Sequence, residues 1–103
     1  MNTMLHLINK SPFERTALDS CLRLAKPGSS ILLLEDGVYA ALAHAACAEK
    51  IAGAMVAFPF FVLGPDLLAR GLRDASLIAG MAVVDYAGFV DLVAQHDATQ
   101  SWL

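Results

Sequence analysis

The chain has 103 residues, of which 57% are hydrophobic and only 17% are charged, and its formal net charge is −3. This length allows one domain over residues 1–103, and a domain of this size hides only about 60% of its unfolded surface. The surplus of apolar side chains therefore predicts that other subunits cover part of the surface. The seven basic residues are scattered along the chain, which argues against a direct nucleic-acid partner.

A short strand is predicted over residues 3–8, followed by a helix with unusually complete start signals. Ser11 is a favoured N-cap residue, and Glu14 three positions later can complete a capping box in which each side chain accepts the other's backbone N–H. The pair Pro27-Gly28 is predicted to end this helix, because proline cannot continue the hydrogen-bond ladder and glycine tolerates a positive φ.

The rest of the chain alternates strands with helices. Strands are predicted over residues 30–35, 55–63 and 80–84, and helices over residues 38–49, 64–71 and 86–96. Such alternation with short connections predicts a small three-layer, doubly wound α/β sandwich with a mainly parallel sheet. The apolar run 51–63 is shorter than the roughly 17–25 residues that span a bilayer, so no membrane association is expected. The first residues lack the pattern of a secretion signal, which predicts a cytoplasmic protein.

Polar and aromatic side chains mark the edge of the sheet where ligands and partners are expected, beyond the carboxyl ends of the strands. The candidates for this rim and for contacts with partners are Lys10, Arg15, Glu35, Asp36, Tyr39 and Trp102. Neighbouring carboxylates can serve as acid and base, but Asp36 is well placed to cap the helix that follows, and this is the preferred interpretation. Lys10 and Arg15 either offer positive charge to an anionic species or remain solvated.

The surroundings of two aromatic side chains, one near each end of the sequence, can also be predicted. His6 falls within the first strand, where a buried ring is expected. Trp102 follows a polar stretch with nothing local to cover it, so it must either fold back onto its own domain or dock on a neighbouring subunit.

The two cysteines, Cys21 and Cys47, lie 26 positions apart without metal-ligand spacing, so neither a metal nor another cofactor is expected. Cys21 lies deep in the first predicted helix among uncharged neighbours, a setting that raises a thiol pKa. Two interpretations stay open for Cys21: a small side chain packed in the core, or a thiol that handles sulfur. Cys47 is predicted to lie in the core or at an interface.

A pattern in several segments identifies a family. It includes Cys21 and residues 4–6, 9–15, 34–39, 62–67, 84–90 and 100–103, and the alanine-rich stretch 43–57 departs from it. In these segments the chain resembles the DsrH/TusB family of sulfur-relay proteins, and it looks closest to the DsrH type, a subunit of DsrEFH-like complexes. The resemblance implies a small doubly wound fold.

The resemblance also implies partners and a function. The chain is expected to join DsrE/TusD-like and DsrF/TusC-like subunits in a cytoplasmic heterohexamer that passes persulfide sulfur to a DsrC/TusE-like carrier. DsrH-type complexes serve intracellular sulfur oxidation, which is the preferred interpretation here. The alternatives are a TusB-type role in 2-thiolation of the tRNA wobble uridine and a purely structural subunit.

The resemblance further places the main sulfur-carrying cysteine on the DsrE/TusD-like partner. Cys21 is then an auxiliary thiol at most, and the chain is an accessory subunit that is not catalytic alone. The rival interpretation makes it a sulfurtransferase in its own right, using Cys21.

Overall fold

In the computed structural model, which describes residues 3–13 and 16–102, five parallel strands form one sheet in the order β4-β3-β2-β1-β5. The strands are β1 (Met4–Ile8), β2 (Ser30–Leu33), β3 (Phe60–Leu63), β4 (Ala82–Val84) and β5 (Ala98–Trp102). The chain adds strands to one side of β1 and then crosses over to add β5 on the other side. The sheet is therefore doubly wound.

Helices cover both faces of this sheet. They are α1 (Ala17–Leu24), a 3₁₀ helix (Glu35–Ala41), α2 (Ala48–Ala54), α3 (Gly64–Ala69) and α4 (Tyr86–Gln95). On the first face, Ile8 and Leu33 pack with side chains from every helix except α4. On the second face, Leu92 of α4 packs on Leu5 and Leu32. This arrangement confirms the predicted three-layer α/β sandwich. None of the described helices has the length and apolar character needed to cross a membrane.

The first helix begins later than predicted. The chain turns at Pro12-Phe13, and α1 starts only at Ala17. The hydroxyl of Ser11 accepts the N–H of Phe13, two residues on, at 3.2 Å, and this local turn competes with a helix start at Ser11. Glu14, the predicted partner in the capping box, lies outside the described residues. The predicted helix end at Pro27-Gly28 is also wrong, because α1 ends at Leu24 and Ala25 is already extended. Gly28, with φ +91°, lies instead in the following turn, which the N–H of Ser29 closes by donating to the carbonyl of Lys26 at 3.0 Å.

The second predicted helix, over residues 38–49, is wrong in type and extent. Residues 35–41 form a 3₁₀ helix, turns follow, and α2 covers only Ala48–Ala54. Glu35 and Asp36 are exposed, but Val38, Ala40 and Ala41 are fully buried, so the second half of this segment turns most of its side chains inward. Packing under the sheet edge therefore prevails over the helix propensity of alanine. Because the chain is still turning after α2, β3 starts at Phe60 instead of residue 55.

Strand β5 was not predicted from the sequence. Its residues 98–101 are exposed and mostly polar, and they pair in parallel with β1 in a register that runs from Met4↔Ala98 to Ile8↔Trp102. At its start, the carboxylate of Asp97 accepts the N–H of Thr3 at 2.8 Å, and the N–H of Asp97 donates to the Thr3 hydroxyl at 3.1 Å. The strand is held by backbone pairing and by this exchange of hydrogen bonds. Hydrophobic periodicity reveals neither of them.

Candidate functional site

The carboxyl ends of the parallel strands bring most of the predicted rim residues to one edge of the sheet. Lys10 follows β1, Glu35 and Asp36 follow β2, and Trp102 ends β5. Tyr39 lies in the 3₁₀ helix that leaves this edge, and it is half-buried, as is Lys10. Arg15 lies outside the described residues.

The acidic pair of the rim joins secondary structure elements. Glu35 has φ +50°, an uncommon value for a residue with a side chain, and its N–H donates to the carboxylate of Asp66 in α3 at 2.6 Å. Asp36 forms an ion pair with Arg70, whose Nε and Nη2 both lie 3.0 Å from Oδ1. Arg70 also donates to the backbone oxygen of Asp66 at 3.4 Å. These contacts tie the 3₁₀ helix to α3.

The predicted capping role of Asp36 is therefore wrong. The residue that precedes the 3₁₀ helix is Leu34, which makes no side-chain cap, and the first N–H of the helix, that of Glu35, donates to the carboxylate of Asp66 instead. Asp36 lies inside the helix, where its carboxylate is engaged by Arg70. A true cap occurs further along the chain, where the carboxylate of Asp85 accepts the N–H of Gly88 at 2.8 Å at the start of α4.

A close backbone contact joins the ends of β1 and β2. The N–H of Leu34 donates to the carbonyl of Ile8 at 3.1 Å, and the N–H of Gly37 donates to the carbonyl of Leu34 at 2.9 Å. Gly37 lies directly against Ile8 and Asn9, with no room for a side chain. The rim is therefore connected by backbone and side-chain contacts within the domain, which engage the carboxylate of Asp36.

Cys21 lies in the core and is fully buried beside Ala17 and Leu18 on the inner face of α1. Burial raises the pKa of the Cys21 thiol to about 12. A thiol with this pKa is a poor nucleophile at neutral pH, because the thiolate is the reactive form. The geometry supports the packing interpretation of Cys21. An auxiliary sulfur-handling role remains a prediction, and it would require α1 to move.

Cys47 is half-buried at the start of α2, where it packs against the same core as Cys21. Its thiol donates to the carbonyl of Ala40 at 3.9 Å. Burial is the largest influence on this thiol and raises its pKa. Within the described residues, neither cysteine therefore has the activated setting of a sulfur carrier.

Sequence reasoning missed the pairing of His6 with Trp102. The indole Nε1–H of Trp102 donates to Nδ1 of His6 at 3.0 Å, and the two rings are 5.9 Å apart. His6 is only 4% exposed, and burial lowers its pKa. Both rings line a cavity of about 510 Å³ together with Lys26, Ser29 and Asp97. In the β1–β5 register His6 lies opposite Gln100, two positions before Trp102, so a prediction of β5 would have placed the two rings as diagonal neighbours on one face of the sheet.

Two apolar surfaces also escaped prediction. A groove of about 710 Å³ opens beyond the ends of β3 and β4, and its walls are mostly aliphatic, with Leu67, Leu68, Leu72, Leu77 and Val83 among the lining residues. The second surface, called here the α4 stripe, consists of Tyr86, Val90 and Val93, which are 60%, 65% and 41% exposed. Their spacing places them on one side of α4, lateral to Leu92, which faces the sheet.

Comparison with known proteins gives a consistent result. The family model described as "DsrH like protein" matches residues 10–99. Protein TusB from Erwinia tasmaniensis is 39% identical and Protein TusB from Pectobacterium parmentieri is 35% identical, each over 99 residues. Protein TusB from Escherichia coli K12 is 34% identical over 99 residues. Each of these alignments covers 96% of this chain and 100% of the relative.

Solved structures share the fold. The YchN protein from E. coli superposes with a TM-score of 0.84 at 18% identity, covering 99% of this chain and 100% of YchN. MTH1491 from Methanobacterium thermoautotrophicum gives a TM-score of 0.71 at 16% identity, with 97% of both chains covered. At these identities the likeness concerns the fold alone.

Proposed function

This chain belongs to the DsrH/TusB family, and on that premise we propose that it is an accessory subunit of a cytoplasmic sulfur-relay complex. The companions would be DsrE/TusD-like and DsrF/TusC-like chains in a heterohexamer, and the acceptor a DsrC/TusE-like carrier protein. The observation that carries the accessory role is the setting of Cys21, which is buried and has a pKa raised to about 12.

A relay step requires a thiolate that attacks sulfane sulfur, so the attacking sulfur must be accessible and deprotonated. Cys21 has neither property, and burial raises the pKa of Cys47 as well. Sulfur would therefore travel on a cysteine of a companion chain. The contribution of this subunit would be to complete and shape the complex.

The α4 stripe supports assembly with other chains. Tyr86, Val90 and Val93 form a continuous apolar strip on a helix that buries only Leu92 fully. Single exposed apolar residues are ordinary on protein surfaces, but an aligned group of this kind is typical of an interaction surface. We assign the α4 stripe to a contact with a companion subunit.

Co-purification tests both the assembly and this surface. The full-length chain is expressed with its DsrE/TusD-like and DsrF/TusC-like companions, and the complex is isolated through a tag on a companion. Val90→Lys should weaken assembly at least about tenfold, because it would place an uncompensated charge in a buried contact. Val56→Lys is the matched control, since Val56 is 91% exposed and lies after α2, on the other face of the sheet.

Two results would count against this assignment. Failure of the wild-type chain to co-purify with either companion would contradict the proposed complex. Equal recovery of Val90→Lys and wild type would leave the complex intact but would exclude the α4 stripe from the contact.

The biological endpoint has two candidates. The named relatives, which are TusB proteins matched along their full length, favour a role in 2-thiolation of the tRNA wobble uridine. The motifs around residues 9–15, Cys21 and residues 34–39 are the basis for the other candidate, intracellular sulfur oxidation.

Deleting the gene in its own host distinguishes these endpoints. Mass spectrometry of tRNA nucleosides measures 2-thiolated uridine, and sulfur consumption measures oxidation. Loss of thiolated uridine with normal sulfur oxidation supports the TusB-type role, and the reverse pattern supports the DsrH-type role. A complementing copy carrying Cys21→Ala should restore whichever activity is lost.

A further inference from the structure

The contact between His6 and Trp102 fixes the protonation state of a buried imidazole. An indole Nε1–H can only donate, so Nδ1 of His6 must carry a lone pair to accept the hydrogen bond of 3.0 Å. A neutral imidazole with a free Nδ1 has its proton on Nε2. That atom is buried and has no hydrogen-bond partner within the described part of the chain. The contact therefore exists only for one tautomer of neutral His6.

We propose that this contact is a pH-sensitive latch that holds the carboxyl end of β5 against β1. When the imidazole of His6 takes up a proton, both ring nitrogens become donors. Nδ1–H then faces the indole Nε1–H, and the hydrogen bond between the rings is lost. The new charge is enclosed in a residue that is only 4% exposed. Release of Trp102 from β1 separates the two N–H donors. It also lets water reach the imidazolium, so the charge is no longer buried.

The position of the latch explains why its opening would be local. The start of β5 is held by the exchange of hydrogen bonds between Thr3 and Asp97, whereas Trp102 is the last residue of the strand. Between these two ends, residues 98–101 are exposed and add little apolar burial. The end of β5 can therefore detach while the remaining strands keep their packing.

The charged groups around His6 do not remove its sensitivity to pH. The cavity that His6 lines contains two other titratable side chains, Lys26 from the segment after α1 and Asp97 from the turn before β5. Burial, and not a neighbouring charge, is the cause that lowers the pKa of His6. The carboxylate of Asp97 is engaged by the N–H of Thr3 at 2.8 Å. Ser29, which directly precedes β2 and also lines this cavity, is uncharged.

The direction of the pH effect follows from burial. Desolvation lowers the pKa of His6 from 6.5 in the closed form, and solvation after release returns it toward the ordinary value. Well above pH 6.5 the imidazole is neutral in both forms, and the latch has its full stability. As the pH falls below this value, the released form binds more protons than the closed form, so the latch weakens. The weakening ends once the pH is below the lowered pKa of His6 in the closed form.

Nuclear magnetic resonance of the full-length chain, in the assembly in which it purifies, tests the latch. The chain has one tryptophan, so its indole N–H signal is unambiguous. Between about pH 8 and pH 5, the range over which histidines titrate, we expect this signal to move toward the position of a solvated indole. The exchange protection of β5 amides should fall by about tenfold for each unit of pKa difference between the closed and released forms. Protection of β3 amides should stay constant.

Two substitutions separate the latch from other titrations. His6→Gln keeps a side-chain acceptor for the indole but cannot titrate, so the pH dependence of the Trp102 signal should disappear. His96→Gln is the matched control. The ring of His96 contacts the Leu92 carbonyl and the Ser30 hydroxyl instead of Trp102, so this variant should keep the pH dependence.

The proposal is overturned if the Trp102 signal does not change over this pH range or if His6→Gln titrates like wild type. If His6→Gln does not fold, the wild-type chain still provides a decision. The imidazole resonance of His6 and the indole resonance of Trp102 must titrate with the same midpoint, and different midpoints would refute the coupling.

Discussion

Gly37 lies so close to Ile8 that a Cβ atom on Gly37 would be 2.0 Å from the carbonyl oxygen of Ile8. No L-residue side chain fits at that distance, and the clashing atom belongs to the backbone. The contact brings the start of the 3₁₀ helix under the carboxyl end of β1. It shows that the rim is shaped by a close approach of two backbone segments, for which glycine is required.

Replacing Gly37 by alanine should therefore destabilise the fold strongly. We expect Gly37→Ala to lower the free energy of unfolding by about 3 kcal/mol or more, because β1 must shift to admit the methyl group. Chemical denaturation followed by circular dichroism measures the change. Gly53→Ala is the matched control. A Cβ there meets nothing within 4 Å, and alanine should stabilise α2 by about 0.5–1 kcal/mol. Equal stabilities of the two variants would contradict the described packing.

Glu35 offers a second test of backbone geometry. Its φ of +50° lies in the left-handed region, which costs a residue with a Cβ about 1–2 kcal/mol and glycine almost nothing. After subtraction of the extra entropy of glycine in the unfolded chain, Glu35→Gly should raise the free energy of unfolding by about 0.5–1 kcal/mol.

Asp36→Gly provides the comparison, since Asp36 has an ordinary φ and its carboxylate pairs with Arg70. This variant loses the ion pair and gains only flexibility, so its thermal midpoint should fall. A lower midpoint for Glu35→Gly than for wild type would show that Glu35 is not strained.

Alkylation measures the accessibility of Cys21. With its pKa raised to about 12, very little of the Cys21 thiol is ionised at pH 7.5, and burial blocks the reagent as well. In the folded chain at pH 7.5, mass spectrometry should detect iodoacetamide on Cys47 before Cys21, since Cys47 is half-buried. Denaturant should make both react. Modification of Cys21 at the rate of a free peptide thiol would contradict its buried setting and would revive a direct role in sulfur transfer.

The contact between Thr3 and Asp97 predicts how β5 is attached. Asp97→Ala removes the acceptor of the Thr3 N–H, and amides in β5 should then exchange faster, by an amount equivalent to about 1 kcal/mol of local stability. Hydrogen exchange reads this change residue by residue. Asp91→Ala, an exposed change on α4, should leave β5 protection unaltered.

The sequence predicts those parts of the fold that hydrophobic burial determines. The strands β1 to β4 and the helix α4 lie within or close to their predicted ranges, because runs such as residues 30–33 are fully buried and the cap at Asp85 is local. The α/β class follows from the same signals, whereas membership of the family rests on the resemblance of motifs such as residues 9–15 and 34–39. Both are confirmed.

Features that depend on tertiary contacts were not predicted. Strand β5 lacks hydrophobic periodicity and exists because β1 has a free edge to pair with. The 3₁₀ helix replaces a predicted α-helix because the segment packs under β1 at Gly37. Asp36 was assigned a cap from its position, whereas its observed partner, Arg70, is 34 residues away in sequence. Local patterns carry no information about such distant partners.

The pairing of β1 with β5 has a kinetic consequence. Asp97 and Thr3 are 94 residues apart, so the last strand joins a neighbour from the opposite end of the sequence. Closing a loop of that size costs entropy, and the stabilising contacts form only when both strands are in place. A purely parallel sheet also has no hairpin from which folding could nucleate. We therefore expect refolding in which β1 to β3 collapse first and β5 docks last, leaving the β1 edge briefly open to capture by another polypeptide.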